Sequence, residues 1–382
     1  MNTIVNKIGV MQRSSLHTIA FFLAGFNLAS FYLPAILAII FLDFKNILKE
    51  RINKNYMVVS FLFSLFVLSV FSIGYNELKM GEPYKVLIII LVEVSILGLI
   101  IQSGTIERSL RYIISYMFGV TLQSFVIVLS SFASSDSYGY NKLLDPFSGE
   151  LINSPSVSNS LSLGLVMIMY LFITSNTLKK KLIYSTIMTI LVLSGLYLAG
   201  RTFFLISAMG FLYIMLKHAK IKTFVYTTVL FIIAYVIVNT VFYSEIYKYL
   251  QFTIERFSNG FESNRFAHAM HWFSVIGDYP FGGFGVNQSI ESTHWYHNIL
   301  FDSSRVAGWA PVLLFVMYVS SVLFVYINEG AAKQKTLPFI LFILALIVSF
   351  QDVVIEGNYR ILMIIFFSSV VICKNSRCET NT

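Results

Sequence analysis

The sequence predicts an all-α polytopic membrane protein, and two features of its composition carry that prediction. Hydrophobic residues make up 57% of the chain and charged residues only 12%, whereas soluble domains average about 45–50% and about 25%. Apolar runs of about 20 residues recur along the whole chain, and each is long enough to cross a hydrocarbon core of about 30 Å as an α-helix.

The net charge and the cysteines narrow the class further. The chain carries a net charge of +8, but its basic residues are spread over the loops between apolar runs, so we expect no nucleic-acid partner. Its two cysteines, Cys373 and Cys378, lie close together near the C-terminus. They provide neither a disulfide framework nor a metal-ligand spacing.

The apolar runs mark the candidate membrane spans. These are 15–42, 56–74, 85–103, 110–131, 157–175, 182–199, 202–217, 223–242, 308–328, 336–353 and 359–373. The first run is ambiguous, because it can form one long helix or two short helices broken between Asn27 and Pro34.

The distribution of basic residues favours the count in which the first run crosses twice. Cytoplasmic loops of membrane proteins carry an excess of Lys and Arg. With two crossings, most of the 27 Lys and Arg residues fall on one side, which becomes the cytoplasmic side and holds both termini. We therefore expect about 12 transmembrane helices, or 11 if the first run crosses once.

This topology divides the chain into three parts. Residues 1–242 form the N-terminal transmembrane helices with an outer loop at 132–156, residues 243–307 form a large outer loop, and residues 308–382 form the C-terminal helices and a cytoplasmic tail. A loop longer than about 15 residues is uncommon unless it is functional or disordered. The many aromatic residues of the large loop argue against disorder.

The loop between Tyr243 and Ala307 concentrates the polar and titratable residues of the chain. It contains four of the six histidines, two of the three tryptophans and three arginines. These residues are His268, His271, His294, His297, Trp272, Trp295, Arg256, Arg265 and Arg305.

The pattern inside this loop predicts a short helix from Arg265 to about Ile276. Asn264 is a suitable N-cap residue, and Gly277 with Pro280 provides a stop signal. Arg265, His268 and Trp272 follow an i, i+3, i+7 spacing, so we expect the three side chains to share one helix face and one cavity.

Three residues are candidates for catalysis, and each also has a simpler interpretation. Arg201, in LAGRTFF, lies at a tight turn between two spans, where it either snorkels to the headgroups or serves function. Arg265 is otherwise a solvated surface charge. A histidine such as His297 is suited to general-base chemistry because the ordinary pKa of histidine is about 6.5, and it is otherwise a polar surface residue.

The remaining candidates have similarly balanced interpretations. Trp272 and Trp295 either stack on sugar rings or belong to an aromatic belt at the membrane surface. Glu93 lies in the middle of a predicted span, where it indicates either an ion or proton path or a polar contact between helices. His294 and His297 have an i, i+3 spacing, but no third ligand accompanies them at a zinc spacing.

The order of these motifs resembles that of the O-antigen ligases and Wzy-type O-antigen polymerases, which are bacterial inner-membrane glycan transferases. The resemblance is strongest over roughly 190–320 and rests elsewhere on topology alone. The motifs that carry it are GRT at a span boundary (200–202), R-x6-W from Arg265 to Trp272, PFGGFG (280–285), the pair His297 and Asn298, and the return to the membrane at Gly308.

The resemblance implies a GT-C-like helical bundle with its active site at the periplasmic face. The donor is then an oligosaccharide on undecaprenyl diphosphate, and neither a metal nor another cofactor takes part. Arg201, Arg265 and His297 match the family's catalytic positions, with the two arginines also binding the diphosphate. The other residues expected to bind substrate are His268, Trp272, Trp295, Tyr296 and Asn298.

The acceptor stays open between two alternatives. A polymerase transfers the glycan to another lipid-linked repeat, whereas a ligase transfers it to lipid A-core. The Ile-, Phe-, Lys- and Asn-rich composition favours the polymerase, for which a chain-length regulator protein is a further expected partner. A flippase for the lipid-linked glycan would place charges along several spans, and only Glu93 fits that pattern.

Overall fold

The computed structural model describes residues 15–27, 52–72, 83–134, 142–147, 149, 151–218, 251, 254, 265–286, 295–329, 333–355 and 358–374. Within these residues the chain is almost entirely helical, and six helices are long and apolar enough to cross a membrane. The predicted class of helical membrane protein is confirmed at this level. The predicted span 223–242, the second half of the run 15–42 and His294 lie outside the described residues.

The described helices follow the predicted spans closely. They are α1 (Ser15–Phe26), α2 (Lys54–Ser72), α3 (Pro83–Ser103), α4 (Ile106–Ser134), α5 (Ser154–Thr174), α6 (Leu178–Leu198), α7 (Arg201–His218), α8 (Arg265–Val275), α9 (Ile299–Ala307), α10 (Trp309–Glu329), α11 (Thr336–Ser349) and α12 (Tyr359–Ile372). The six long apolar helices are α2 to α6 and α10.

The chain forms two compact units. Unit 1 comprises Met1–Gly119 with Asn264–Thr382, and unit 2 comprises Val120–Ser263. This division cuts across the one expected from topology, because segments far apart in sequence pack together in unit 1. Helix α2 packs on α10, and α3 packs on α12.

Helix α1 stops where the sequence allows a break. It ends at Phe26, and Asn27 has a left-handed backbone with φ of 49°, a conformation that asparagine tolerates better than most residues. At 1.5 Å per residue the helix is only about 18 Å long, which is too short to cross a bilayer. The predicted second crossing falls within residues 28–51, which lie outside the described part of the chain, and it stays a prediction.

One end of unit 1 is held together by two lysines and an asparagine. Lys335 Nζ donates to the Ile372 carbonyl at 2.8 Å, and Lys374 Nζ donates to the Ile101 carbonyl at 3.1 Å. Asn53 Nδ2 donates to the Cys373 carbonyl at 2.9 Å. These donors engage carbonyls at helix C-termini, where a positive charge is stabilising. We refer to this end of unit 1 as the lysine end.

Helix α11 is shorter than the span predicted for it, whereas α12 matches its predicted span 359–373 to within one residue. The sequence predicted a span over 336–353, but α11 ends at Ser349 and the polar pair Gln351 and Asp352 follows. Each helix has 14 residues, or about 21 Å, against a hydrocarbon core of about 30 Å. Non-helical backbone is tolerated at membrane depth only inside protein or beside a water-filled cavity, and residues 352–355 are buried.

Unit 2 is built around α5, which packs against both α6 and α7. Two short strands, β1 (Lys142–Leu144) and β2 (Leu151–Asn153), form an antiparallel hairpin just before α5. They occupy part of the predicted outer loop 132–156, so the chain is not purely α-helical.

Candidate functional site

Arg201 is the first residue of α7, in unit 2, and is partly exposed. Ala199 ends α6 with a left-handed φ of 48°, and a Cβ on Gly200 would collide with the Ser158 side chain. Thr202 Oγ1 donates to Asn159 Oδ1 at 2.7 Å. Gly200 and Thr202 therefore hold the α6–α7 junction against α5, and the junction presents Arg201 beside a helix N-terminus.

The contact surface on α5 is a polar run that the sequence reasoning missed. The first half of α5 buries a run of small polar residues, and small side chains allow helices in a membrane to approach closely. The signal was visible as alternating serines in SPSVSNSLS. The buried residues are Ser154, Ser156, Ser158, Asn159, Ser160 and Ser162.

Arg265 is the first residue of α8, in unit 1, and its side chain is exposed. Its Nη2 donates to the Gln351 carbonyl at 3.0 Å. Because Gln351 belongs to the non-helical segment directly after α11, this bond connects the start of α8 to the end of α11. The sequence contained no signal for a contact between residues 86 positions apart.

The predicted helix is confirmed, but the three side chains expected to share one cavity, those of Arg265, His268 and Trp272, do not have the same surroundings. Helix α8 ends at Val275, close to the predicted Ile276, and Asn264 lies outside the described residues. Arg265 is exposed, whereas His268 and Trp272 are 1% and 5% exposed. Trp272 Nε1 donates to Ser304 Oγ at 2.6 Å, and its ring stacks on Phe301 at 4.5 Å.

The other aromatic candidates are also interior residues of this loop. Tyr296 is 2% exposed and belongs to a hydrophobic cluster with Trp272, Ile276 and Phe284. Trp295 is 6% exposed, and the Arg305 guanidinium lies 4.3 Å from its ring centroid, a cation–π contact. The expected lining of a sugar path by these rings stays a prediction, and their burial favours a packing role.

The PFGGFG segment and Gly308 form a single contact rather than two separate motifs. Gly282 and Gly308 have φ of 85° and 69°. A Cβ on Gly282 would overlap the Val306 carbonyl, and one on Gly308 would overlap the Pro280 carbonyl. Trp309 N donates to the Pro280 carbonyl at 3.1 Å. Both glycines are therefore required for the segment to cross the α9–α10 junction.

His297 is held by its neighbours in an unusual backbone conformation. Its φ is 57°, a left-handed value that is uncommon outside glycine. The buried Asp302 carboxylate accepts from Tyr296 N at 2.6 Å and from Asn298 N at 3.0 Å. The Asn298 side chain caps α9 by accepting from Leu300 N at 3.0 Å.

The His297 side chain is partly exposed. Its two neighbours in the chain, Tyr296 and Asn298, are both held by the Asp302 carboxylate. Backbone strain of this kind persists only where the surrounding structure imposes it. Asn298 is thereby assigned a capping role, and Asp302 joins the candidate site although the sequence did not single it out.

A second histidine is coupled to the hydrophobic cluster. His271 Nδ1 lies 2.8 Å from Tyr296 Oη. Burial lowers the pKa of His271, and its electrostatic interaction with the neighbouring His268 lowers it further. Burial raises the pKa of Tyr296 to about 12, against the opposing effect of Arg305. The Tyr296 hydroxyl therefore stays protonated at neutral pH.

The thermal stability of unit 1 should depend on the charge of His271. Because its pKa in the folded state is lowered, the unfolded chain binds more protons between that pKa and about 6.5. Its contribution is complete above about pH 6.5 and is lost as the pH falls through the lowered pKa. Thermal unfolding in detergent at pH 7.5 and 5.5 should show a smaller decrease for His271→Gln than for the wild type; equal decreases would contradict this.

Glu93 lies among other polar groups in unit 1. It is fully buried in α3, and both Glu93 and Arg360 of α12 interact electrostatically with Tyr116 of α4. This arrangement favours a polar contact between helices over a separate ion path. In the described part of the chain, no group of three or more His, Cys, Asp or Glu side chains is placed to hold a metal ion.

The catalytic candidates are thus divided between the units, with Arg201 in unit 2 and Arg265 and His297 in unit 1. Comparison with protein-family models and with curated protein sequences finds no match. The resemblance to O-antigen ligases and polymerases therefore rests on the motifs described above.

Proposed function

We propose that this protein is a Wzy-type O-antigen polymerase, a glycosyltransferase with a GT-C-like bundle of about 12 transmembrane helices. It acts at the periplasmic face of a bacterial inner membrane. The observation that carries the proposal is that Arg201 and Arg265 are each the first residue of an α-helix, α7 and α8. A helix N-terminus and a guanidinium both attract phosphate oxygens, so each arginine by itself has the surroundings of a phosphate-binding residue.

The lysine end of unit 1 supports the proposed orientation. Helix α10 begins at Trp309, beside α9, and runs 21 residues toward the 3₁₀ turn Lys333–Lys335 at the lysine end. Under the positive-inside rule the lysine end is cytoplasmic. Helices α8 and α9, with Arg265 and His297, then face the periplasm.

The proposed reaction transfers the glycan from phosphate to a hydroxyl group. The acceptor oxygen attacks the anomeric carbon, the bond from that carbon to the diphosphate oxygen breaks, and the electron pair leaves with the diphosphate. His297 takes the acceptor proton, while Arg201 and Arg265 stabilise the negative charge that develops on the leaving group. Removing one preorganised charged donor of this kind costs about 10²–10³-fold in rate.

Alanine substitutions test this assignment. Arg201→Ala, Arg265→Ala and His297→Ala should each abolish long-chain glycan on a silver-stained gel without changing the amount of protein in the membrane. Arg→Lys variants should be partly active at best, because lysine lacks the planar fork. Lys179→Ala, at an exposed lysine of α6, is the matched control and should behave as wild type. Wild-type glycan in all three alanine variants would refute the site.

A deletion strain distinguishes the two acceptors, since a ligase would share the same donor chemistry. Loss of a polymerase leaves a single repeat on the lipid A-core, whereas loss of a ligase leaves the core bare. A single repeat is the expected result, and a bare core would assign the ligase reaction instead.

A further inference from the structure

Helix α8 has apolar residues on two opposite sides. One side carries the buried residues His268 and Trp272. It packs into the hydrophobic cluster of Trp272, Ile276, Phe284 and Tyr296, which we call the loop core. The other side carries Phe266, Met270 and Phe273, which are 76%, 57% and 67% exposed. Their i, i+4, i+7 spacing places them in one row along the helix. A helix whose outer side met water would carry polar residues there.

The turn after α8 continues the apolar surface. Tyr279 and Phe281 are 46% and 87% exposed. Together with Phe266, Met270 and Phe273 they form what we call the α8 apolar strip. Contiguous exposed apolar surface of this kind marks a site of interaction with a membrane or a partner.

The α8 apolar strip adjoins a helix that is long and apolar enough to span the membrane. Phe273 contacts the Trp272 ring at 4.8 Å, and Trp272 in turn contacts Trp309, the first residue of α10, at 5.8 Å. Helix α10 has the length and hydropathy of a membrane span, and its residues Leu313 and Met317 are 58% and 55% exposed. A line of ring contacts therefore connects α8 to the start of a lipid-facing helix.

We propose that the α8 apolar strip lies in the phospholipid leaflet on the side of the membrane where α10 begins. Aromatic side chains are favoured at this level of a bilayer, and an amphipathic helix lies there with its apolar side buried about 5–10 Å into the headgroup and acyl boundary. The occupant is lipid because Phe273 is connected through Trp272 to Trp309, the exposed first residue of a helix with the length and hydropathy of a membrane span.

Site-directed spin labelling in liposomes of phosphatidylethanolamine and phosphatidylglycerol tests this directly. The background is Cys373→Ser/Cys378→Ser, and single cysteines replace Phe266, Met270 or Phe273. Collision with oxygen, which partitions into lipid, is compared with collision with a water-soluble nickel chelate. Leu313→Cys on α10 is the lipid reference, and Lys179→Cys on α6 is the water reference. Because the three substituted side chains are more than half exposed, the loop core remains intact, and gel filtration checks this.

Labels at all three positions should resemble Leu313→Cys, with high access to oxygen and protection from nickel. Access to nickel as high as at Lys179→Cys would overturn the inference. Protection from both reagents would also overturn it, because the strip would then be covered by protein, either another part of the chain or a second copy. The measurement requires no glycosyl transfer, so its outcome is independent of the proposed function.

Discussion

Replacing Asp302 with alanine should abolish long-chain glycan and lower the melting temperature of the protein. The Asp302 carboxylate is 1% exposed and accepts from two backbone N–H groups, those of Tyr296 and Asn298. Each buried donor left without an acceptor costs about 1–3 kcal/mol, so the loss should reach about 2–6 kcal/mol for the two together. The left-handed conformation of His297 depends on these two bonds.

Two further variants test whether the acceptor oxygens of Asp302 are responsible for the effect. Asp302→Asn keeps one acceptor oxygen in nearly the same position and should lie between wild type and alanine in both glycan length and melting temperature. Asp278→Ala removes an exposed aspartate from the same loop and should leave both unchanged. Wild-type glycan and stability in Asp302→Ala would show that the turn around His297 does not depend on this carboxylate.

Gly308→Ala should have an effect of comparable size for a different reason. Gly308 has a φ of 69°, and a Cβ there would overlap the carbonyl of Pro280. A non-glycine residue in this backbone conformation costs about 1–3 kcal/mol. The Pro280 carbonyl belongs to the backbone, so it cannot rotate out of the way as a flexible side chain can. The α9–α10 junction must then separate from the Pro280–Gly283 turn, which disrupts the loop core around Trp272.

The measurement is the amount and melting temperature of protein extracted from membranes, together with its glycan. Gly282→Ala should behave similarly, because its Cβ would overlap the Val306 carbonyl. The matched control is Gly285→Ala, at a glycine of the same PFGGFG segment that has nothing within 4 Å of its Cβ position. If Gly308→Ala is as stable as Gly285→Ala, the close approach of the two segments is not needed in the folded protein.

These contacts show why the sequence revealed the helices better than the site. The ends of α8 were predictable because Gly277 and Pro280 act on the chain locally, through backbone conformation. For the run 15–42 the sequence left a break between Asn27 and Pro34 as one of two alternatives, and α1 ends at Phe26. Helix α11 ends earlier than predicted. The apolar run 336–353 reports hydrophobicity alone, whereas residues 352–355 are non-helical and buried within the protein.

The roles of individual side chains were less predictable than the helix on which they lie. Arg265, His268 and Trp272 have a spacing that favours a shared face, yet packing exposes the first and buries the other two. The PFGGFG segment and Gly308 were visible as separate motifs, and only their mutual contact explains why both contain glycine.

The sequence by itself determined the class of helical membrane protein, the position of most described helices and the short helix α8, because hydrophobic length and turn residues act over a few neighbouring positions. Tertiary structure decided which elements serve the candidate site. Gln351 holds Arg265, Asp302 holds the turn at His297, and Asn159 holds the junction at Arg201. Two of these contacts join residues more than forty positions apart. No periodicity in the chain reports such contacts, since they form only when helices pack.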